Sequence, residues 1–239
     1  KDPSMRTKLV FCISAGRCGT NYLAGLLGSC ENVIAFHEPY PDMSGEWLQL
    51  VIDSALESTF KQREIKAQEI KKVLSNVSHE EIYVETNHMF IKTFCDVILE
   101  SFDPEHYDII IIVLRRYLPA MLKSRVQLGH FAQKPKHGWV YTLDSKNAIL
   151  PPLSSISDSD FVDLLIGYLL DIEAQTVRFR EKYSNRCNIV EVRTEELNTF
   201  RGVQNLCHQL GIKMGPETSK LIGISTNGRE EEKQEFLNS

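Results

Sequence analysis

Residues 109–114 (IIIIVL) constrain this chain more than any other stretch. A run of β-branched and aliphatic side chains has no polar face. As a strand it must be covered on both sides, the situation of a parallel sheet sandwiched between helices. It is also the longest apolar run, far below the ~20 residues that cross a bilayer, so no membrane span is expected.

Short apolar segments elsewhere alternate with helical periodicity. Residues 9–14 (LVFCIS), 33–36, 82–85 and 188–192 read as further strands. Residues 21–27, 90–102, 118–127, 160–183 and 203–210 read as helices, with the cap of the longest among Ser157, Asp158 and Ser159. Gly211 is the expected C-cap of the helix before it. A long helical stretch is expected from Ser44 or Gly45 through Lys72, with Trp47 facing the core. In it Lys61, Arg63, Lys66, Lys71 and Lys72 interleave with Glu57, Glu64 and Glu69, the pattern of a solvated face. Phe90 and Phe94 are expected in the core. Strands alternating with helices predict an α/β three-layer domain with a mainly parallel central sheet.

With 239 residues the chain suits one domain, residues 5–239. Lys1 to Ser4 read as an expression remnant ahead of Met5, and the absence of a signal pattern points to the cytoplasm. Lys and Arg number 27 against 32 Asp and Glu, a net charge of −5, which argues against nucleic acid as a partner. The six cysteines form no C-x-x-C pair and are expected as free thiols; no zinc-ligand spacing is seen, and no metal is expected.

Two anion-binding signals stand out. The first strand leads through Ala15, Gly16, Arg17, Cys18, Gly19 and Thr20 into a helix. Gly16 and Gly19 allow a tight turn and close backbone approach. The helix start at Thr20 and Asn21 offers unpaired N–H groups and a positive dipole end. Arg17 adds a forked, permanent charge. The second signal is Arg115-Arg116 at the end of the IIIIVL strand, with Ser124 eight positions after Arg116. Open α/β sheets bind ligands at such strand ends. A nucleotide-triphosphatase loop requires Lys before Thr20, where this chain has Gly19.

Together the two signals resemble the sulfotransferase superfamily. ISAGRCGTNYL (residues 13–23) is similar to its loop for the 5′-phosphosulfate. VLRRYLPAMLKSR (residues 113–125) is similar to its 3′-phosphate element. IVEVRTEELNTFRGVQNLCHQLGI (residues 189–212) is similar to its late strand, turn and helix. Arg17 stands where many cytosolic members carry Lys, as in carbohydrate and tyrosylprotein sulfotransferases.

The resemblance implies a P-loop kinase-like fold and 3′-phosphoadenosine 5′-phosphosulfate (PAPS) as sulfuryl donor. Gly16, Arg17, Cys18, Gly19, Thr20, Asn21, Arg116 and Ser124 would bind it, and Arg17 would also be catalytic. The acceptor would be a small molecule or carbohydrate offering a hydroxyl or amine. Glu38, in FHEPYP, is the preferred base, in a region comparable to the tyrosylprotein group's catalytic glutamate. His88, in ETNHMF, is the second choice. His37, next to Glu38, would point to the opposite face of an extended chain. The loop at residues 129–152, with Lys134, Lys136, His137, Trp139 and Tyr141, would line an acceptor pocket or cover it. Arg229, in a loose echo of the family's C-terminal loop, would be a further candidate for the 3′-phosphate. A P-loop kinase-like phosphotransferase, or a non-catalytic nucleotide-binding module on the same fold, are the alternatives.

Overall fold

The computed structural model describes residues 6–129, 138–152 and 161–224. Lys134, Lys136, His137, Ser157 to Ser159 and Arg229 lie outside the described residues.

The apolar runs form a five-stranded, all-parallel sheet. Its strands are β1 (Thr7–Ile13), β2 (Val33–His37), β3 (Ile82–Thr86), β4 (Tyr107–Arg115) and β5 (Asn188–Arg193), in the spatial order β2-β3-β1-β4-β5. The IIIIVL run lies inside β4, between β1 and β5. Its six residues are each no more than 4% exposed, as a two-sided burial requires.

The crossovers run in opposite senses across the sheet. Helix α1 (Thr20–Gly28) carries the chain from β1 toward β2, whereas the segment after β3 carries it across β1 to β4. Right-handed crossovers therefore place α1 on one face and that segment on the other. On the second face the Phe11 ring stacks on Phe90 at 5.3 Å. Phe90 in turn meets Phe179 of α7 (Phe161–Tyr183) edge-on at 5.9 Å. Phe90 and Phe94 are thus core residues.

The expected helix over residues 90–102 begins as a wide π-helical turn, Phe90–Phe94, and continues as α5 (Cys95–Ser101). Helix α6 (Leu118–Gln127) follows β4 with the expected bounds. Helix α8 (Phe200–Leu210) starts where Thr199 Oγ1 accepts from Gly202 N, and ends at Gly211 in the left-handed region, φ +62°.

The long helix expected from residue 44 to 72 is broken. It divides into α2 (Glu46–Asp53), a short α3 (Phe60–Arg63) and α4 (Ile65–Ser75). The cause is Asn147, whose side chain donates to the Val51 and Ser54 carbonyls and accepts from Leu56 N. It supplies the partners that a continuing helix would have supplied.

The solvated face expected there is corrected as well. Lys61, Lys71 and Lys72 are exposed, but Arg63 and Lys66 are buried. Arg63 forms a bidentate pair with Asp96 at 2.6 and 2.8 Å. Lys66 pairs with Glu85 of β3 at 2.7 Å. The helix α9 (Thr218–Leu221) closes the described chain. No described helix is long and apolar enough to cross a membrane.

Candidate active site

At the carboxyl end of the sheet, the order reverses around β1, and the loop after β1 stands between β3 and β4. Gly16, Arg17 and Gly19 all have left-handed backbone, φ +85°, +59° and +84°. Such a backbone makes a concave, anion-accepting surface. Glycine is required for a second reason, crowding. A Cβ on Gly16 would lie 2.9 Å from Arg125 Nη2 and 3.3 Å from the His88 ring. A Cβ on Gly19 would lie 2.9 Å from Thr194 Cγ2.

The two anion signals meet in one cleft of about 740 Å³. Arg17 Nε donates to Ser124 Oγ at 3.1 Å, and Arg116 Nη1 donates to the Arg17 carbonyl at 3.2 Å. Lys123, Tyr22, Tyr117 and Gly223 complete much of the wall. The adjacent arginines part company, as neighbours leaving a strand do. Arg115 is held by Glu173 at 2.9 Å and Glu191 at 2.8 Å, while Arg116 lines the cleft.

Cys18, between Arg17 and Gly19 in the chain, lines neither this cleft nor the smaller pocket beside it and is buried. Its buried thiol lies 3.4 Å from the Gly16 carbonyl and from Met121 Sδ, and burial pushes its pKa up. Thr194 Oγ1 donates to the Cys18 carbonyl. Thr20 is buried at the start of α1, and Asn21 beside it is half-buried.

A second, smaller pocket of about 130 Å³ adjoins the cleft through Arg17 and Gly19. Its lining includes Thr20, Arg125 and Trp139, and all three candidate bases: His37, Glu38 and His88. His37 and Glu38 share the pocket although they are neighbours, because the chain is not extended there. Glu38 has φ +48°, which turns its side chain back toward His37. Glu38 Oε1 lies 3.8 Å from His37 Nε2 and 3.4 Å from His88 Nε2. His37 Nδ1 is tied to the Thr86 carbonyl at 3.0 Å. Burial raises the Glu38 carboxyl above its ordinary pKa, against the lowering influence of His37 and Lys92.

The Glu38 loop is anchored from beneath. Lys66 Nζ donates to the Pro39 carbonyl at 3.1 Å and the Pro41 carbonyl at 2.9 Å, and its charge is met by Glu85. Asn87 Nδ2 donates to the Asp42 carbonyl and to Glu85 Oε1, both at 3.0 Å. One buried network therefore joins the Glu38 loop to the strand end that carries His88.

Sequence reasoning missed Arg125, Lys92 and Tyr168. Arg125 is buried against the first loop, where its Nη2 donates to the Gly16 carbonyl at 3.1 Å. Its position directly after Ser124 was the available signal. From the long loop, Trp139 reaches the small pocket. Tyr141 is instead buried, donating to Asp171 at 2.7 Å.

This is an open α/β sheet with an anion-suited cleft at its switch point. Neither a family model nor a curated protein sequence matches the chain. Solved structures that share its architecture include two sulfotransferases. A sulfotransferase domain from the curacin biosynthetic pathway matches with TM-score 0.54 and 14% identity, covering 93% of this chain and 79% of that one. A sulfotransferase from Alicyclobacillus acidocaldarius matches with TM-score 0.50 and 14% identity, covering 96% of this chain and 89% of that one. The chain has the sulfotransferase fold.

Proposed function

We propose that the protein is a sulfotransferase that moves a sulfuryl group from PAPS to a hydroxyl or amine of a small-molecule or carbohydrate acceptor. One observation carries this reading. The cleft holding Arg17, Arg116 and Ser124 meets, at Arg17 and Gly19, the pocket holding Glu38 and His88. A donor site and a base are thus adjacent, with a cation at their junction.

The cleft fits a nucleotide bisphosphate in size and charge. At about 740 Å³ it lies within the range of small-ligand sites. Its cations reach it from two separate elements, matching an anion with two separated phosphates. The donor supplies the sulfuryl group. The N–H groups of Arg17 to Asn21 bind the 5′-phosphate, that of Gly16 being given to Ser14 Oγ at 3.0 Å. Arg116 and Ser124 hold the 3′-phosphate. Arg17 neutralises charge developing on the departing phosphate. Glu38 takes the acceptor's proton as the new S–O or S–N bond forms. Most of the acceleration comes from alignment and charge stabilisation, as in phosphoryl transfer.

Calorimetry with adenosine 3′,5′-bisphosphate in the presence of a chelator tests the reading. Binding without magnesium is expected. Arg116→Ala should weaken that binding ~10–100-fold while leaving adenosine 5′-phosphate almost unaffected, the loss of a charge-assisted contact. No bisphosphate binding, or hydrolysis of a nucleoside triphosphate instead, would overturn it.

A further inference from the structure

The reading above leaves Lys92 without a task. Its side chain leaves the wide turn Phe90–Phe94 and is 4% exposed. Its amine meets the Trp139 carbonyl at 2.7 Å, Tyr168 Oη at 2.9 Å and His88 Nδ1 at 2.7 Å. Tyr168 uses its own hydrogen on the Ala15 carbonyl at 2.8 Å, so its oxygen accepts from Lys92. An ammonium has three hydrogens and no lone pair, which suits three acceptors. A ring nitrogen that accepts carries no proton. The proton of the neutral His88 ring is then on Nε2, the atom 3.4 Å from Glu38 Oε1.

We propose that Lys92 is a positioning residue that holds His88 as the neutral Nε2–H tautomer, leaving Glu38 to take the acceptor's proton. The proposal rests on the sulfuryl-transfer reading for the identity of that proton. It also assigns His88 a role other than base. Its Nε2 lies 3.4 Å from Glu38 Oε1, and its Nδ1 is engaged by Lys92.

A second proton on His88 would have to displace the Lys92 hydrogen from Nδ1. Several charged or titratable groups face the imidazole. Glu38 and His37 come from the loop after β2, and Arg17 from the loop after β1. Lys92 comes from its own turn, Arg125 from α6, and Tyr168 from α7. Glu38 favours an imidazolium; Lys92, Arg17 and Arg125 oppose it. Burial and Arg125 push the Lys92 ammonium below its usual pKa, and Glu38 draws it back. The tautomer follows from the ammonium form: an amine has only two hydrogens, for the Trp139 carbonyl and Tyr168 Oη, and its lone pair would instead accept from an Nδ1–H. A neutral His88 leaves Glu38 more basic than an adjacent imidazolium would.

The test is long-range proton–nitrogen NMR on the full chain with labelled histidine, from about pH 5 to about pH 8, where imidazoles ordinarily titrate. His88→Asn identifies the signal. The expected result is a neutral His88 with its proton on Nε2 throughout. In Lys92→Met, His88 should take up a second proton within that range, because the opposing ammonium is gone and Glu38 favours the charged ring. An imidazolium or an Nδ1–H tautomer in the unaltered protein would overturn the proposal, as would identical titrations with and without Lys92. The unaltered protein's spectrum decides the matter even if the variant does not fold. No nucleotide is present, so failure here is distinct from failure of bisphosphate binding, which would overturn the reaction itself.

Discussion

Glu38 occupies left-handed backbone, φ +48°, a conformation that non-glycine residues rarely adopt. That turn aims its carboxylate into the small pocket beside His37 and His88. Replacing Glu38 with Gln keeps the shape and removes the basicity. Turnover should fall ~10²–10⁴-fold with bisphosphate affinity retained, as steady-state rates and calorimetry would show. Unchanged turnover would move the base elsewhere. The pH dependence has a definite sign. As the proposed base, Glu38 would act as a carboxylate, and burial raises its pKa. The rate should therefore climb as pH rises through that raised value, and the limb should vanish in Glu38→Gln. The residues themselves were legible in FHEPYP and ETNHMF. Their meeting was not, because alternation along an extended chain separates His37 from Glu38. A single positive φ, which no local composition announces, brings them together.

Elements turn these residues into a site. The loop between β1 and α1 was readable because glycine has few other uses at a strand-to-helix junction. What the glycines accommodate was not readable: Arg125 and His88 against Gly16, and Thr194 against Gly19, come from distant segments. Gly16→Ala places a Cβ in left-handed backbone and against Arg125. It should cost about 1–3 kcal/mol by denaturant titration and weaken bisphosphate binding in parallel. Full stability with full binding would refute the crowding argument.

Helix α4 shows the opposite kind of misreading. Charges at helical i,i+4 spacing look like a wet surface, and the pattern contains no sign of partners far away in the chain. Lys66 nevertheless lies in the core, paired with Glu85 and holding the carbonyls on both sides of Tyr40. Lys66→Ala strands a buried carboxylate and should destabilise the fold by about 3–5 kcal/mol, measured by chemical unfolding. A loss of only a few tenths would mean that water or another group compensates Glu85. The expected long helix failed for a related reason. Asn147, almost a hundred residues onward, supplies the hydrogen bonds that end α2.

For the whole molecule, the strand order β2-β3-β1-β4-β5 is decisive. Hydrophobic periodicity revealed four of the strands as parallel-sheet material around IIIIVL, and the order follows from pairing that no single segment encodes. The order puts the first loop between the end of β4, with Arg116, and the end of β3, with His88. Net charge gives a second molecular property. The chain carries −5 overall, yet Arg17, Lys123 and Arg116 line one cleft. Attraction of a polyanionic nucleotide is then local, against a repulsive background. Raising salt from 0.05 to 0.5 M should weaken bisphosphate binding by roughly an order of magnitude, because the screening length drops below ~5 Å. Calorimetry across that series checks this, and a flat profile would place the binding outside the cationic cleft.

The two cavities share few walls, chiefly Arg17 and Gly19. On the proposed reading, this has an evolutionary consequence. Mutations around Glu38 and Trp139 can retune acceptor choice while the nucleotide side is inherited unchanged, and drift in the larger cleft need not alter the chemistry next door. Arg17 is the exception. Any substitution there is felt in both compartments at once, so a lineage changing its acceptor would vary Trp139 and its surroundings while keeping that guanidinium, the crowded glycines and Glu38.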